Sequence, residues 1–215
     1  PLIPMHGDRA LLVPSTILFS NWPAAREQAT ARARVSAIGD ARNERYTAKV
    51  VEILKRAGFA QIAKDVILQP PGGDPLTDLD VVAVSPACDK ILVLQLKSFV
   101  TPSNIIDLRR ADKNVDSAIN QCSIADANLA LTQTAIERAL GISLAAGWSL
   151  YQAIVVEANT GTKAIPLQYP AVTIEWLESQ SGLGTDPLAW WKAAKELPDA
   201  MAYFESVSSL FSLFD

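Results

Sequence analysis

Histidine is almost absent from this chain: His6 is the only one in 215 residues. Lying near the start, it leaves the body of the chain without the imidazole that a Ser-His-Asp triad, a Cys-His pair or a His-based zinc site needs. Any chemistry is therefore expected to run on carboxylates, amides and lysines. Cysteine is nearly as scarce. Cys88 and Cys122 are far apart and form no CxxC. Two are too few for a disulfide framework, and they read as reduced buried thiols of a cytoplasmic protein. No apolar run reaches the roughly 18 residues that a membrane-spanning helix needs. Residues 10–19 (ALLVPSTILF) are apolar, but Pro14 interrupts them and no basic leader precedes them, so no signal peptide is expected. Starting at Pro1 rather than Met, the chain is expected to be processed or to come from a longer protein. Positive charge is not in excess either. Lys plus Arg number 19 against 23 Asp plus Glu, a net charge of −4. That excludes a polybasic mode of nucleic-acid binding for the chain as a whole, and leaves room for a local basic cleft.

What is present suits a globular protein. Hydrophobic residues make up 49% and charged residues 20%, so a sizeable core is expected. There is no repeat and no low-complexity tract. Residues 10–19 read as a strand or arm, and the Ala- and Arg-rich stretch 23–36 as helical. A stronger helix spans 41–57, with Asp40 as its N-cap and Gly58 just past its end. Three β-rich runs follow at 64–69, 79–85 and 91–99, the last two joined as a hairpin through residues 86–90. A helical region over 103–140, broken once, ends at Gly141. Strands are expected at 150–157 and 171–176, and a helical tail over 187–213 carrying Trp190, Trp191, Tyr203, Phe204 and Phe211, with Phe214 just beyond, packed onto the body. This order predicts an α/β fold, a mixed sheet with helices on its faces. The division expected is an arm over 1–36, a core over 37–178 and a helical extension over 179–215.

The hairpin carries the chemistry. The register that sets Val84 opposite Ile91 also sets Asp80 opposite Gln95 and Asp78 opposite Lys97. Directly opposed residues share a face, so Asp78, Asp80, Gln95 and Lys97 are expected together. Leu79, Val81, Leu94, Leu96 and Ser98 are expected on the other face. Residues 91–94 (ILVL) do not alternate, which reads as a strand buried on both faces before polarity begins. Polar groups in such a place need partners or a ligand. A hard divalent cation takes oxygen ligands, and Asp80, the Gln95 side-chain oxygen and the Leu96 carbonyl supply three. Mg²⁺ or Mn²⁺ held there would polarise a phosphate and acidify water, with Lys97 orienting that water and offsetting charge on the phosphate.

Asp80, a hydrophobic hairpin and then Gln95-x-Lys97 resemble the PD-(D/E)XK nuclease superfamily, in the Mrr-like variant where Gln replaces an acid. The stretch GDARNERYTAKVVEILKRAGF (39–59) is similar to that family's first helix. The resemblance covers roughly 39–157. It implies a restriction-endonuclease-like αβββαβ core and places Glu44 as the helical acid that binds or assists a metal. It implies a Mg²⁺-dependent endodeoxyribonuclease, in a bacterial restriction, defence or repair setting. Leu79 stands where the family usually has Pro, and Gln95 removes one negative charge from the metal site.

Other residues have weaker claims. Asp78 is a supporting ligand or a salt-bridge partner of Lys97. Gln121 lies on the helix after the hairpin, where related nucleases often place a polar residue reaching the active site. Arg109, Arg110 and Lys113 form a basic cluster suited to DNA phosphates. Two rival readings make different forecasts. A catalytically degenerate nuclease-fold domain that binds nucleic acid or scaffolds a complex would not cleave with Mg²⁺ or Mn²⁺. An unrelated protein-interaction module would leave Glu44, Asp80, Gln95 and Lys97 scattered. A homodimer is a further possibility.

Overall fold

The computed structural model describes residues 2–4, 10–12, 37–98, 105–157 and 169–196. The chain is an α/β protein. A short hairpin pairs β1 (Leu2–Pro4) with β2 (Ala10–Leu12). Helix α1 (Ala37–Arg56) leads into three strands, β3 (Gln61–Leu68), β4 (Thr77–Val84) and β5 (Lys90–Lys97). Helices α2 (Ile105–Ala127) and α3 (Leu129–Leu140) cross back to β6 (Ser149–Val156). Strand β7 (Ala171–Thr173), helix α4 (Ile174–Ser179), a 3-10 turn and helix α5 (Pro187–Lys195) complete the described part. The five-stranded sheet runs in the order β3-β4-β5-β6-β7. Its first three strands are antiparallel; β6, reached through the helical crossover, is parallel to β5, and β7 is parallel to β6.

Local signals account for most of this. Gly58, at φ 100°, ends α1. Its N–H bonds to the Lys55 carbonyl and that of Phe59 to the Leu54 carbonyl, the paired bonds of a left-handed helix stop. Phe59 and Leu54 are both buried there. The break in the long helical region falls at Asn128, and Gly141, at φ 65°, ends α3. In the hairpin turn, the Ser85 hydroxyl donates to Asp89 at 2.7 Å and accepts from the Lys90 N–H at 3.1 Å.

The strands β3, β4 and β5 begin or end one to three residues from the expected bounds, and two helix starts also differ from the sequence expectation. Helix α1 starts at Ala37, so Asp40 lies in its first turn rather than at the N-cap position. The β-branched run at 171–176 divides after Thr173. The Thr173 hydroxyl accepts from the Trp176 N–H, and that cap turns Ile174 onward into helix. The stretch 23–36, the tail beyond 196 and its four aromatics from Tyr203 onward lie outside the described residues.

The core has a layer on each sheet face. Beneath α1, Tyr46, Val50, Ile53 and Leu54 pack on Val81, Ala83, Leu92, Leu94 and Leu96, with Trp190 of α5. Beneath α3 and the end of α2, Ala125, Ala135 and Ile136 pack on Val66, Leu68, Leu79, Val82, Val84, Ile91 and Val93. A smaller cluster joins Val115, Ala118 and Cys122 of α2 to Ile154 and Val156. The buried stripe of α1 thus runs through Tyr46 and Val50. Glu44 and Ala48 are exposed.

Leu79 lies in the layer with Val82 and Val84, not with Val81 as simple alternation predicts. The same reversal occurs on β3, where Val66 shares a layer with its odd-numbered neighbour Ala63. Both strands change face at the opposed pair Asp65 and Asp80. Asp65 carries the backbone irregularity, at φ 52°.

Candidate active site

Strands β4 and β5 keep the expected register from Val84↔Ile91 to Val81↔Leu94, and there the pairing stops. The bond from the Ser85 N–H to the Lys90 carbonyl fixes which residues exchange hydrogen bonds along this hairpin. By that alternation Leu96 would bond to Leu79. Instead its N–H bonds to the side chain of Asp80, at 2.6 Å from Oδ2. The change of face at Asp80 thus turns its carboxylate toward the neighbouring strand. A residue in a strand directs its N–H and C=O to the same side, so the Leu96 carbonyl faces this gap as well.

Gln95 is wholly buried. Its Nε2 donates to the Asp78 carbonyl at 2.9 Å, while its Oε1 has no partner. A buried amide oxygen without a donor is costly unless something else satisfies it. Lys97 Nζ donates to Gln121 Oε1 at 2.6 Å, and Gln121 Nε2 donates to Asp78 Oδ1 at 2.7 Å. The expected direct pairing of Asp78 with Lys97 is therefore replaced by a bridge through α2. Asp78, Gln95, Lys97 and Gln121 are linked by hydrogen bonds where the sheet parts, and Asp80 is tied to the backbone of Leu96, between Gln95 and Lys97.

Burial pushes the Asp80 carboxyl up to about 6. The Leu96 N–H and the Lys97 ammonium pull it down, and the carboxylates of Asp78 and Asp65 push it up. An acid in that state gains from a cation. The oxygens at hand are those of Asp80, the unpartnered Gln95 amide and the Leu96 carbonyl, the hard donors that Mg²⁺ or Mn²⁺ takes. Among the described residues no three His, Cys, Asp or Glu side chains form a group that could hold an ion by themselves. A cation here would depend on amide and backbone oxygens and on water.

Glu44 does not join the cluster. It is exposed on α1 and shares no hydrogen bond or ion pair with these residues. The nearby part of α1 serves a structural tie instead. Arg42 forms an ion pair with Glu157 at 2.8 Å, and the Ser98 hydroxyl donates to the same carboxylate at 2.9 Å. Lys113 is exposed, and the side chains of Arg109 and Arg110, at the start of α2, lie outside the described residues.

Sequence reasoning missed two features. One is Asp65, read as an ordinary strand residue. The other is a buried polar set that anchors α2 beside Gln121. Gln152 Nε2 donates to the Cys122 carbonyl at 3.0 Å and to Asp126 at 2.7 Å, and the Tyr169 hydroxyl donates to Asp126 at 2.5 Å. A glutamine inside the apolar run of β6 was the available signal.

Comparison with known proteins finds no matching family, no matching curated protein and no matching solved structure.

Proposed function

We propose that this protein is a metal-dependent nuclease that hydrolyses phosphodiester bonds, most naturally those of DNA, on a restriction-endonuclease-like fold. One observation carries the reading. A half-buried carboxylate with raised proton affinity, a wholly buried amide oxygen with no partner, and a lysine ammonium are carried by adjacent positions where β4 leaves β5. The element order from α1 through β6, a helix, three antiparallel strands, a crossover of two helices and a parallel strand, supports that reading, whose core order is αβββαβ.

A bound Mg²⁺ or Mn²⁺ supplies Lewis-acid activation of the phosphate and of water. Asp80, through the oxygen not engaged as acceptor from Leu96, together with Gln95 Oε1 and the Leu96 carbonyl, would hold it. Lys97 offsets charge growing on the phosphate and orients the attacking water. Gln121 and Asp78 position the lysine. Phosphate contacts away from the cleaved bond fall to the basic cluster Arg109, Arg110 and Lys113.

The missing acid at position 95 favours a second reading, in which the domain binds nucleic acid without cutting it. One experiment separates the two. Supercoiled plasmid and labelled oligonucleotides are incubated with the wild type, Asp80→Asn and Lys97→Met, with Mg²⁺, Mn²⁺ or EDTA. The nuclease reading expects metal-dependent cleavage by the wild type and loss of at least a hundredfold in both variants. Retention of DNA in a mobility-shift assay with no cleavage in any metal would establish the second reading. Equal cleavage by all three proteins would end the first.

A further inference from the structure

We propose that Asp65, on β3, is a further acidic residue of this site that holds a water of the bound cation's hydration sphere. The inference rests on the metal-site reading above and assigns a role that the family resemblance implied for Glu44.

Asp65 stands directly across from Asp80, between the paired positions Lys64↔Val81 and Val66↔Leu79. The ladder of paired positions skips these two residues. Asp65 has a left-handed backbone in the middle of a strand, a conformation that is unfavourable for L-residues and that Asp and Asn tolerate best. The side chains of both strands change face at this pair. Asp65 is exposed and has no hydrogen bond or ion pair among the described residues, yet its charge acts on Asp80. Like charges facing each other across two strands are destabilising. Asp78 adds a second like charge acting on Asp80, and Lys97 is the ammonium that acts the other way.

A cation close to Asp80 would offset this repulsion. The Gln95 amide supplies the independent sign of one. It lies in the gap against the Asp78 carbonyl, is wholly buried, and has no partner for its oxygen. The three carboxylates do not form a group that could hold an ion directly. Mg²⁺ usually keeps several of its waters, so the outermost acid acts through one of them.

The test is Mg²⁺ and Mn²⁺ binding by isothermal titration calorimetry, without nucleic acid, for the wild type, Asp80→Asn, Asp65→Asn and Asp65→Gly. Asn and Gly both accept the left-handed backbone, so the fold is kept and only the charge is lost; unchanged melting temperatures in EDTA check this. The wild type is expected to bind, Asp80→Asn to lose binding, and both Asp65 variants to bind about tenfold more weakly, as outer-shell partners usually do. Affinity of Asp65→Asn and Asp65→Gly within about twofold of wild type, with Asp80→Asn inactive in binding, overturns the role of Asp65 and leaves the metal site standing. No binding by the wild type overturns both.

Discussion

The carboxylate of Asp80 accepts the N–H of Leu96 at 2.6 Å, in the position that a Leu79 carbonyl would fill if the hairpin ladder continued. A side chain has replaced a backbone acceptor. The two strands can part at that point without leaving the Leu96 N–H unsatisfied, and the space between them becomes available for polar chemistry.

Asp80 should make stability depend on pH in a direction unusual for a carboxylate. Burial raises its folded pKa to about 6 from an ordinary value of 3.8. The folded state then holds the proton more tightly than the unfolded state, so stability falls as pH rises from about 4 to about 6. The difference across this window is roughly 3 kcal/mol. Urea denaturation in EDTA at several pH values, comparing wild type with Asp80→Asn, isolates it: the wild type should lose stability relative to the variant as pH rises through the window. A constant difference would refute the assignment.

Metal affinity should run the opposite way. The carboxylate must be deprotonated to bind a cation, so Mg²⁺ and protons compete for Asp80. Below about pH 6 the apparent affinity is expected to drop by up to tenfold per pH unit. Mg²⁺-induced thermal stabilisation, which follows the ratio of free ion to Kd, should be larger at pH 7.5 than at pH 5. Asp80→Asn should show little stabilisation at either pH.

Lys97 and Gln121 should act as one unit. Lys97→Met is expected to lower cleavage at least a hundredfold, to a slow but measurable single-turnover rate, while Mg²⁺ still binds. Gln121→Leu leaves the ammonium without its 2.6 Å acceptor and should lower cleavage about tenfold. The double variant should be no worse than Lys97→Met alone, because Gln121 works through the lysine. Additive losses in single-turnover rates would show that Gln121 acts on substrate independently.

Glu44→Ala should leave Mg²⁺ affinity and cleavage within about twofold of wild type, since Glu44 is exposed and outside the bonded cluster. A hundredfold loss would restore the helical acid that the family resemblance implied.

Gly58→Ala should destabilise the fold by about 1–2 kcal/mol. The glycine sits at φ 100°, and an added Cβ would meet Thr185 Cγ2 at 3.3 Å. The urea midpoint should fall while the slope of the transition stays constant.

Much of this protein was legible in its residues. Period-two patterning and the short turn set the register Val84↔Ile91, and the left-handed glycines 58 and 141 marked two helix ends. These signals are local, involving neighbours in the chain or across one tight turn. Asp80, Gln95 and Lys97 could be grouped because that register extends to them by counting. What counting could not reach was where the ladder stops. The reversal of face at Asp65 and Asp80 placed Leu79 in the opposite layer and turned a carboxylate into a backbone acceptor. The contact of Gln121 with two strands, and the exposure of Glu44, depended on how α2 and α1 lie on the sheet. Hydrophobic patterning specifies which stripe of an element is buried. Packing of several elements at once decides which polar group at the edge of that stripe meets another, and only the assembled sheet brought those groups together.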